Sequence, residues 1–248
     1  MNRLSLVMAV ASGLAVVGAG SAARTDVRRF APADEVPVVR VSARDIEAST
    51  QKAVAAHAAL VDMWTNEFDR IGEGFVAPRL ARYRGNSRSA CGVLPASNAL
   101  YCDRSNTIYF DDLFLAAQAK LTGSELNTDG DMAAVGIIAH EMGHAVTAQL
   151  GIRFRTAYQA EAAADCLAGA FAQHAQQDGS LERGDLDEAF VAMAAAADPE
   201  IESTGNPRLD RRIAARMQRS GHGTREQRQG SFRAGYEGGG GACVDELR

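Results

Sequence analysis

The chain has 248 residues and a formal net charge of −5 at pH 7, from 26 basic and 31 acidic side chains. This length accommodates one large domain together with a targeting segment. The sequence has no basic run interleaved with aromatic residues, so we expect no nucleic acid partner.

The N-terminal residues have the layout of a secretory signal. Arg3 precedes an apolar run at residues 4–20, and small residues at 21–23 suit signal peptidase. We therefore predict a signal peptide at 1–23 and an extended linker with two prolines at 24–41. An uncleaved anchor, giving membrane association, is the alternative, since about 17 apolar residues just reach spanning length.

The folded domain is predicted to begin at residue 42 and to continue to residue 248. Ser42 with Asp45 can start a helix whose apolar residues recur at helical spacing up to Ile71. Three short strand candidates bounded by turn residues follow, at 80–83, 99–102 and 107–110. Together they predict a small antiparallel sheet in front of the central helix.

The central feature is the sequence H-E-M-G-H at residues 140–144, inside an apolar stretch typical of a buried helix. His140 and His144 lie about one turn apart on one helix face, where both imidazoles can reach one Zn²⁺. Glu141 lies beside them, where it can accept a proton from metal-activated water. This is the H-E-x-x-H pattern of zinc metallopeptidases, although an incidental pair of buried histidines is the alternative.

The ends of this helix can also be predicted from the sequence. Asp129 or Asp131 can cap its start, and Gly151 can end it.

A zinc site of this kind needs a third protein ligand. A short loop at 151–156 predicts that the next, alanine-rich helix runs antiparallel to the first. Helix geometry then brings Glu161 level with His144, and Asp165 level with His140. We predict Glu161 as the third ligand and Asp165 as the carboxylate that orients His140 through its other ring nitrogen. A solvated acidic face is the alternative.

These motifs carry a family resemblance. The H-E-x-G-H motif combined with E-A-A-A-D-C-L-A-G at residues 161–169 resembles the bacterial neutral zinc metallopeptidases of the gluzincin group. Further matching pieces are at 90–92, 101–102, 108–111, 184–189 and 222–228. The tryptophan that the resemblance leads us to expect after the last piece is absent, with Gly230 and Ser231 there instead.

The resemblance implies a predominantly helical α+β fold of the zincin type and one zinc ion per chain. It implies a zinc metalloendopeptidase whose partner is a peptide or protein substrate, with Glu141 as general base. In such folds a strand at the rim of the cleft pairs with extended substrate. Residues 107–110 are a candidate for that strand, and an interior strand is an equal alternative.

The oxyanion formed during hydrolysis needs a further hydrogen-bond donor. We assign His222, which lies in the H-G-T-x-x-Q-R stretch, while Tyr158 and Arg228 are rival donors. His222 as a loop residue beside a helix cap is the alternative. Helices are also predicted at 185–197, at 209–217 and from Thr224 to Tyr236, followed by a flexible glycine run at 238–241.

Four cysteines allow three pairings. In an exported chain they should be oxidised. Cys91 and Cys102 flank one loop, which leaves Cys166 to Cys243; four free thiols are the alternative. The expected location is extracytoplasmic: periplasmic, secreted, or anchored to the membrane and facing outward. A zinc hydrolase of non-peptide substrates and a zinc-stabilised envelope binding or assembly factor are the other functions considered.

Overall fold

The computed structural model describes residues 4–6, 39–200 and 202–244. It is mostly helical with a small sheet, an α+β arrangement. The strands are β1 (Leu4–Leu6), β2 (Val39–Val41), β3 (Arg79–Tyr83), β4 (Ser87–Ser89), β5 (Gly92–Leu94), β6 (Ala99–Cys102) and β7 (Thr107–Asp111). The α-helices are α1 (Ala43–Arg70), α2 (Asp112–Leu126), α3 (Met132–Gln149), α4 (Ala157–Asp178), α5 (Asp185–Ala195), α6 (Pro207–Ser220) and α7 (Arg225–Val244).

The predicted start of α1 is confirmed. The Ser42 side chain accepts a hydrogen bond from the Asp45 amide, and the Asp45 carboxylate accepts one from the Ser42 amide, so both halves of a capping box are present. The helix buries one apolar stripe that includes Leu60, Trp64 and Phe68, and this stripe contributes to the main core around α3.

The three-stranded sheet has the order β3-β7-β6. β6 pairs antiparallel with β7, but β3 pairs parallel with it, so the prediction of a purely antiparallel sheet was wrong. A parallel pair needs a crossover, and here the hairpin of β4 and β5 together with β6 lies between the two strands in sequence. β7 is the interior strand of this sheet, so of the two alternatives for 107–110 the interior strand is confirmed, and β3 and β6 are the edge strands.

The start of α3 is held by a residue that the sequence did not suggest. Asp131 occupies the N-cap position but its side chain makes no capping hydrogen bond, and it pairs instead with Lys52. The buried Glu188 of α5 accepts hydrogen bonds from the amides of Gly130 and Met132 at 3.1 and 3.0 Å. A carboxylate at a helix start also interacts favourably with the helix dipole, so Glu188 replaces the predicted aspartate cap.

α7 packs against α4 with their backbones in close contact. A Cβ on Gly235 would lie 1.7 Å from the Cys166 carbonyl oxygen, and one on Gly169 would lie 1.9 Å from the Phe232 carbonyl oxygen. The Cys166–Cys243 disulfide joins the same two helices. The glycine run predicted to be flexible continues α7 instead, interrupted at Gly239, whose φ is 71°.

Both predicted disulfides are bonded in the structure, with Cys91 joined to Cys102 as well. Two disulfides are typical of proteins that fold outside the cytoplasm. Most of the predicted signal peptide or anchor lies outside the described residues, as does the linker before Val39. Within the described part, β1 pairs with β2, and no helix is both long and apolar enough to span a membrane.

Candidate metal centre

Three donor groups converge between α3 and α4. Nε2 of His140 lies 3.2 Å from one Glu161 oxygen, and Nε2 of His144 lies 3.6 Å from the other. Ligand atoms about 2.0–2.2 Å from a tetrahedral zinc ion stand roughly 3.3–3.6 Å apart. The two separations match this spacing, and two imidazoles with one carboxylate form a donor set that suits zinc.

α3 and α4 approach each other closely because small residues lie at their contact. A Cβ on Gly143 would lie 2.8 Å from the Cα of Ala164 and 2.9 Å from its carbonyl oxygen. Side chains one turn apart share a face in both helices. His140 therefore faces both Glu161 and Asp165, while His144 faces Glu161, which is the arrangement expected from the short loop between the helices.

The other nitrogen of His140 contacts Asp165. Nδ1 lies 2.7 Å from Oδ1 of this fully buried carboxylate. Burial lowers the pKa of His140, but the charge and hydrogen bond of Asp165, with a further hydrogen bond to Glu161, outweigh burial and raise the pKa to about 10. Without metal, His140 is thus held as an imidazolium between two carboxylates.

Glu161 is held as an anion. Burial raises its pKa, but hydrogen bonds from His140 and His144 and the charges of both rings outweigh burial, and the pKa lies far below its usual range. An anionic carboxylate facing two imidazole nitrogens places negative charge where a cation would bind.

Glu141 lies on α3 together with the two histidines, and it is only 7% exposed. It lines a cavity that opens onto them. Its Oε2 accepts a hydrogen bond of 2.7 Å from the backbone amide of Tyr101, on β6. No described residue donates a hydrogen bond to its other oxygen. The edge strand therefore fixes the carboxylate beside the histidines. This contact could not be predicted from the sequence, because it joins residues 40 positions apart.

A cavity of about 890 Å³ opens onto these groups. Residues 96–101 form one wall, the inner faces of α3 and α5 form another, and His222 contributes from the loop before α7. All three metal-binding candidates and Glu141 line this cavity, so a molecule in it can reach both the donor set and the base.

The candidate oxyanion donors occupy different positions. His222 lines the cavity; its side chain is 59% exposed, and Nδ1 lies 3.4 Å from a carboxylate oxygen of Asp198. The Tyr158 ring lies against Gly223, and it is absent from the described residues that line the cavity. Arg228 also lines the cavity, and each of its three guanidinium nitrogens donates a hydrogen bond, either to Asp165 or to the Ala196 carbonyl.

Two other clusters of metal-binding residue types occur in the described part: Cys91, Cys102 and Asp103, and Asp129, Asp131 and Glu188. The cysteines are joined to each other, Glu188 caps α3, and Asp131 pairs with Lys52. Cys166 is disulfide-bonded, so it offers no thiolate to a metal ion. The cluster of His140, His144 and Glu161 is the one among them that contains imidazoles.

Comparison with known proteins agrees with this site. A family model described as "Putative neutral zinc metallopeptidase" matches residues 30–247. "Uncharacterized protein YpfJ" of Escherichia coli K12 is 32% identical over 194 residues, covering 72% of this chain and 64% of the relative. "Uncharacterized protein Rv2575" of Mycobacterium tuberculosis H37Rv is 29% identical over 187 residues, covering 66% and 60%. No solved structure gives a significant match.

The alignments thus span less than two thirds of the length of each of these relatives. The family match, by contrast, extends over nearly the whole described chain, including both helices of the candidate metal centre and the helix that carries Arg228. The chain belongs to the neutral zinc metallopeptidase family that this model describes.

Proposed function

We propose that the protein is a zinc-dependent endopeptidase with a zincin-like catalytic domain, acting outside the cytoplasm. The observation that carries this proposal is the convergence of His140, His144 and Glu161 at ligand spacing, with Glu141 in the same cavity. A site built only to stabilise a fold uses all four positions of its zinc for protein ligands. Three donors beside a cavity and a carboxylate suit catalysis instead.

Zinc held by these three residues would act as a Lewis acid, lowering the pKa of water and polarising a carbonyl group. The role of Asp165 is to fix His140 through Nδ1, so that Nε2 points at Glu161 and the metal position. Glu161 supplies the negative charge that makes the binding of a divalent cation between two neutral imidazoles favourable.

Glu141 acts as the general base. The Tyr101 amide holds one of its oxygens, which leaves the other to accept a proton from the attacking water and deliver it to the leaving amine. The Glu141 carboxylate is buried between its own helix, α3, and β6, which keeps it in one orientation during both proton transfers. His222 is our candidate for the hydrogen bond to the developing oxyanion, because it lines the cavity and its Nε2 has no described partner.

The edge of β6 is suited to hold an extended peptide. The Tyr101 amide points at Glu141, and the Asn98 carbonyl accepts from Asp111 at the end of β7, on the opposite side of the strand. The backbone N–H and C=O groups alternate in direction along a strand. Those of Ala99 and Tyr101 therefore point away from β7. We infer that substrate adds along this edge through the backbone groups of Ala99 and the Tyr101 carbonyl, because the Tyr101 amide is already bonded to Glu141. This is the β-augmentation mode.

Two substitutions test the assignment. Glu161→Ala should abolish the binding of about one zinc per chain, because it removes a ligand. Glu141→Gln should keep the zinc and reduce hydrolysis of an unfolded, dye-labelled casein by about 10²–10⁴-fold, because it removes the general base. Asp178→Ala, on an exposed part of the same helix as Glu161, is the matched control and should change neither property.

The outcomes separate the alternatives. Full zinc occupancy in Glu161→Ala would show that the third ligand is wrong. If the parent binds zinc but cleaves no peptide, while it hydrolyses an ester or another amide in a Glu141-dependent way, the enzyme acts on non-peptide substrates. Zinc binding without any Glu141-dependent turnover would favour a binding or assembly factor.

A further inference from the structure

Arg228 is an arginine side chain enclosed in the protein, with 3% exposure. Its Nε donates to Oδ2 of Asp165 at 2.9 Å, its Nη2 donates to Oδ1 at 2.6 Å, and its Nη1 donates to the Ala196 carbonyl at 2.9 Å. A buried guanidinium is tolerated only where it is paired and hydrogen-bonded. Here a two-pronged pair with a fully buried carboxylate meets that requirement.

Arg228 and His140 share one oxygen of Asp165. Oδ1 accepts from Arg228 at 2.6 Å and lies 2.7 Å from His140 Nδ1, while Nη2 of Arg228 itself lies 3.4 Å from that ring nitrogen. The arginine fork therefore fixes the plane of the carboxylate, and the carboxylate fixes the imidazole. Without Arg228, Asp165 would keep its hydrogen bond to His140 through Oδ1, but Oδ2 would lose its described donor and the carboxylate plane would no longer be fixed.

The fold brings Arg228 to this place through α7. Thr224 and Gln227 form a capping box that starts the helix, and Arg228 follows within its first turn. Further along, α7 lies backbone to backbone against α4, and a disulfide joins α7 to Cys166, the neighbour of Asp165. These contacts set the register of α7, and hence the height at which the guanidinium meets Asp165.

We propose that Arg228 is a positioning residue of the metal centre, acting on His140 through Asp165. This inference rests on the proposed metal site but not on peptidase activity. The pair of Arg228 and Asp165 is electrically neutral, so it orients His140 without adding net charge to the site. The C-terminal helix thereby takes part in metal binding although it supplies no ligand.

The test is the zinc affinity of Arg228→Met, Arg228→Lys, Asp165→Asn and the double variant Asp165→Asn/Arg228→Met, measured by competition with a chelator on samples shown to be folded by circular dichroism. Loss of a partner that orients a ligand typically weakens metal affinity by roughly 10–100-fold, and we expect this range for Arg228→Met. Lysine keeps the charge but lacks the planar fork, so Arg228→Lys should fall between Arg228→Met and the parent.

The double variant distinguishes positioning from packing. It removes the carboxylate charge together with the arginine. Its fold-loss of zinc affinity should therefore be smaller than the product of the two single-variant losses, as expected for residues that act through one another. The matched control is Arg225→Met, which changes an exposed arginine on the same helix and should bind zinc as the parent does.

Folded Arg228→Met with the zinc affinity of the parent would overturn the proposal. If Arg228→Met does not fold, Arg228→Lys decides: lower stability with unchanged zinc affinity assigns Arg228 a purely structural role. A parent protein that binds zinc and hydrolyses no peptide would refute the proposed function while leaving this inference intact. A parent that binds no zinc would refute both, and it would do so before any variant is compared.

Discussion

Replacing Gly143 by alanine tests whether the contact between α3 and α4 sets the metal geometry. The new Cβ would lie 2.8 Å from the Cα of Ala164, whereas carbon atoms in favourable contact are about 3.5–4.0 Å apart. Backbone atoms cannot rotate away as a side chain does. The two helices must therefore separate by about 1 Å, which carries Glu161 away from both histidines.

Gly136 provides a matched control within the same helix. A Cβ there would meet only the terminal methyl of Met193, at 3.4 Å, and this flexible group can move. Both substitutions gain about 0.5–1 kcal/mol from the greater helix propensity of alanine. The difference between the two variants thus isolates the overpacking cost, which is about 1–3 kcal/mol.

Urea unfolding of the metal-free proteins measures this difference, and chelator competition measures zinc affinity. Gly136→Ala should be as stable as the parent or slightly more so, with unchanged zinc affinity. Gly143→Ala should be less stable than Gly136→Ala and should bind zinc more weakly, with hydrolysis reduced by about 100-fold for a 1 Å misplacement. Equal stability and equal zinc affinity in the two variants would refute the reasoning.

Three further predictions concern the disulfides, proton release and pH. Replacing Cys166 and Cys243 by serine should lower the free energy of unfolding by about 4–5 kcal/mol, against about 3 for Cys91 and Cys102, because the sequence separations are 77 and 11; denaturant unfolding showing the reverse order would contradict this. With a pKa near 10, metal-free His140 should release about one proton on binding zinc at pH 7.5, measured calorimetrically as a heat that depends on the buffer. Because that pKa is raised above the unfolded value of about 6.5, the metal-free fold should also lose stability as pH rises from there toward 10.

Most of the arrangement of the candidate metal centre could be predicted because it depends on local rules. Helical periodicity places His140 and His144 on one face, and the same rule relates Glu161 to Asp165. The only long-range step is the pairing of α3 with α4, and the short loop between them restricts it to an antiparallel arrangement. In the structure Asp165 contacts His140 as predicted, while Glu161, predicted to lie level with His144, lies between the two histidines at 3.2 Å from His140 and 3.6 Å from His144.

The sheet could not be predicted in the same way. Strand order depends on which segments meet in the folded chain, and the periodicity of a strand is the same in parallel and antiparallel pairs. β3 and β7 are separated in sequence by the hairpin and by β6, so no turn reveals their parallel pairing. The cap supplied by Glu188 was missed for the same reason, since its amide partners lie 56 and 58 residues away.

Arg228 shows where the sequence located a functional segment but not its role. The H-G-T-x-x-Q-R stretch indicated that Arg228 belongs near the site, and the structure shows that its guanidinium is bonded to Asp165, behind His140. The direction of this side chain follows from how α7 docks on α4, where Gly235 and Gly169 admit the opposing backbone. Glycine and alanine in these helices therefore determine how closely the helices approach, which hydrophobic patterns do not show.

The segment of α4 that carries Asp165 is held by backbone contacts with two neighbouring helices. α4 touches α3 at Ala164 opposite Gly143, and it touches α7 at Cys166 opposite Gly235, so two neighbours fix the short segment that carries Asp165. Close-packed backbones transmit displacement because they leave no void into which a helix can relax. Glu161 and Asp165 are thereby positioned by main-chain contacts on two sides of one helix. For this reason, substitutions that enlarge these small residues should impair zinc binding more than equal changes at exposed positions of the same helices.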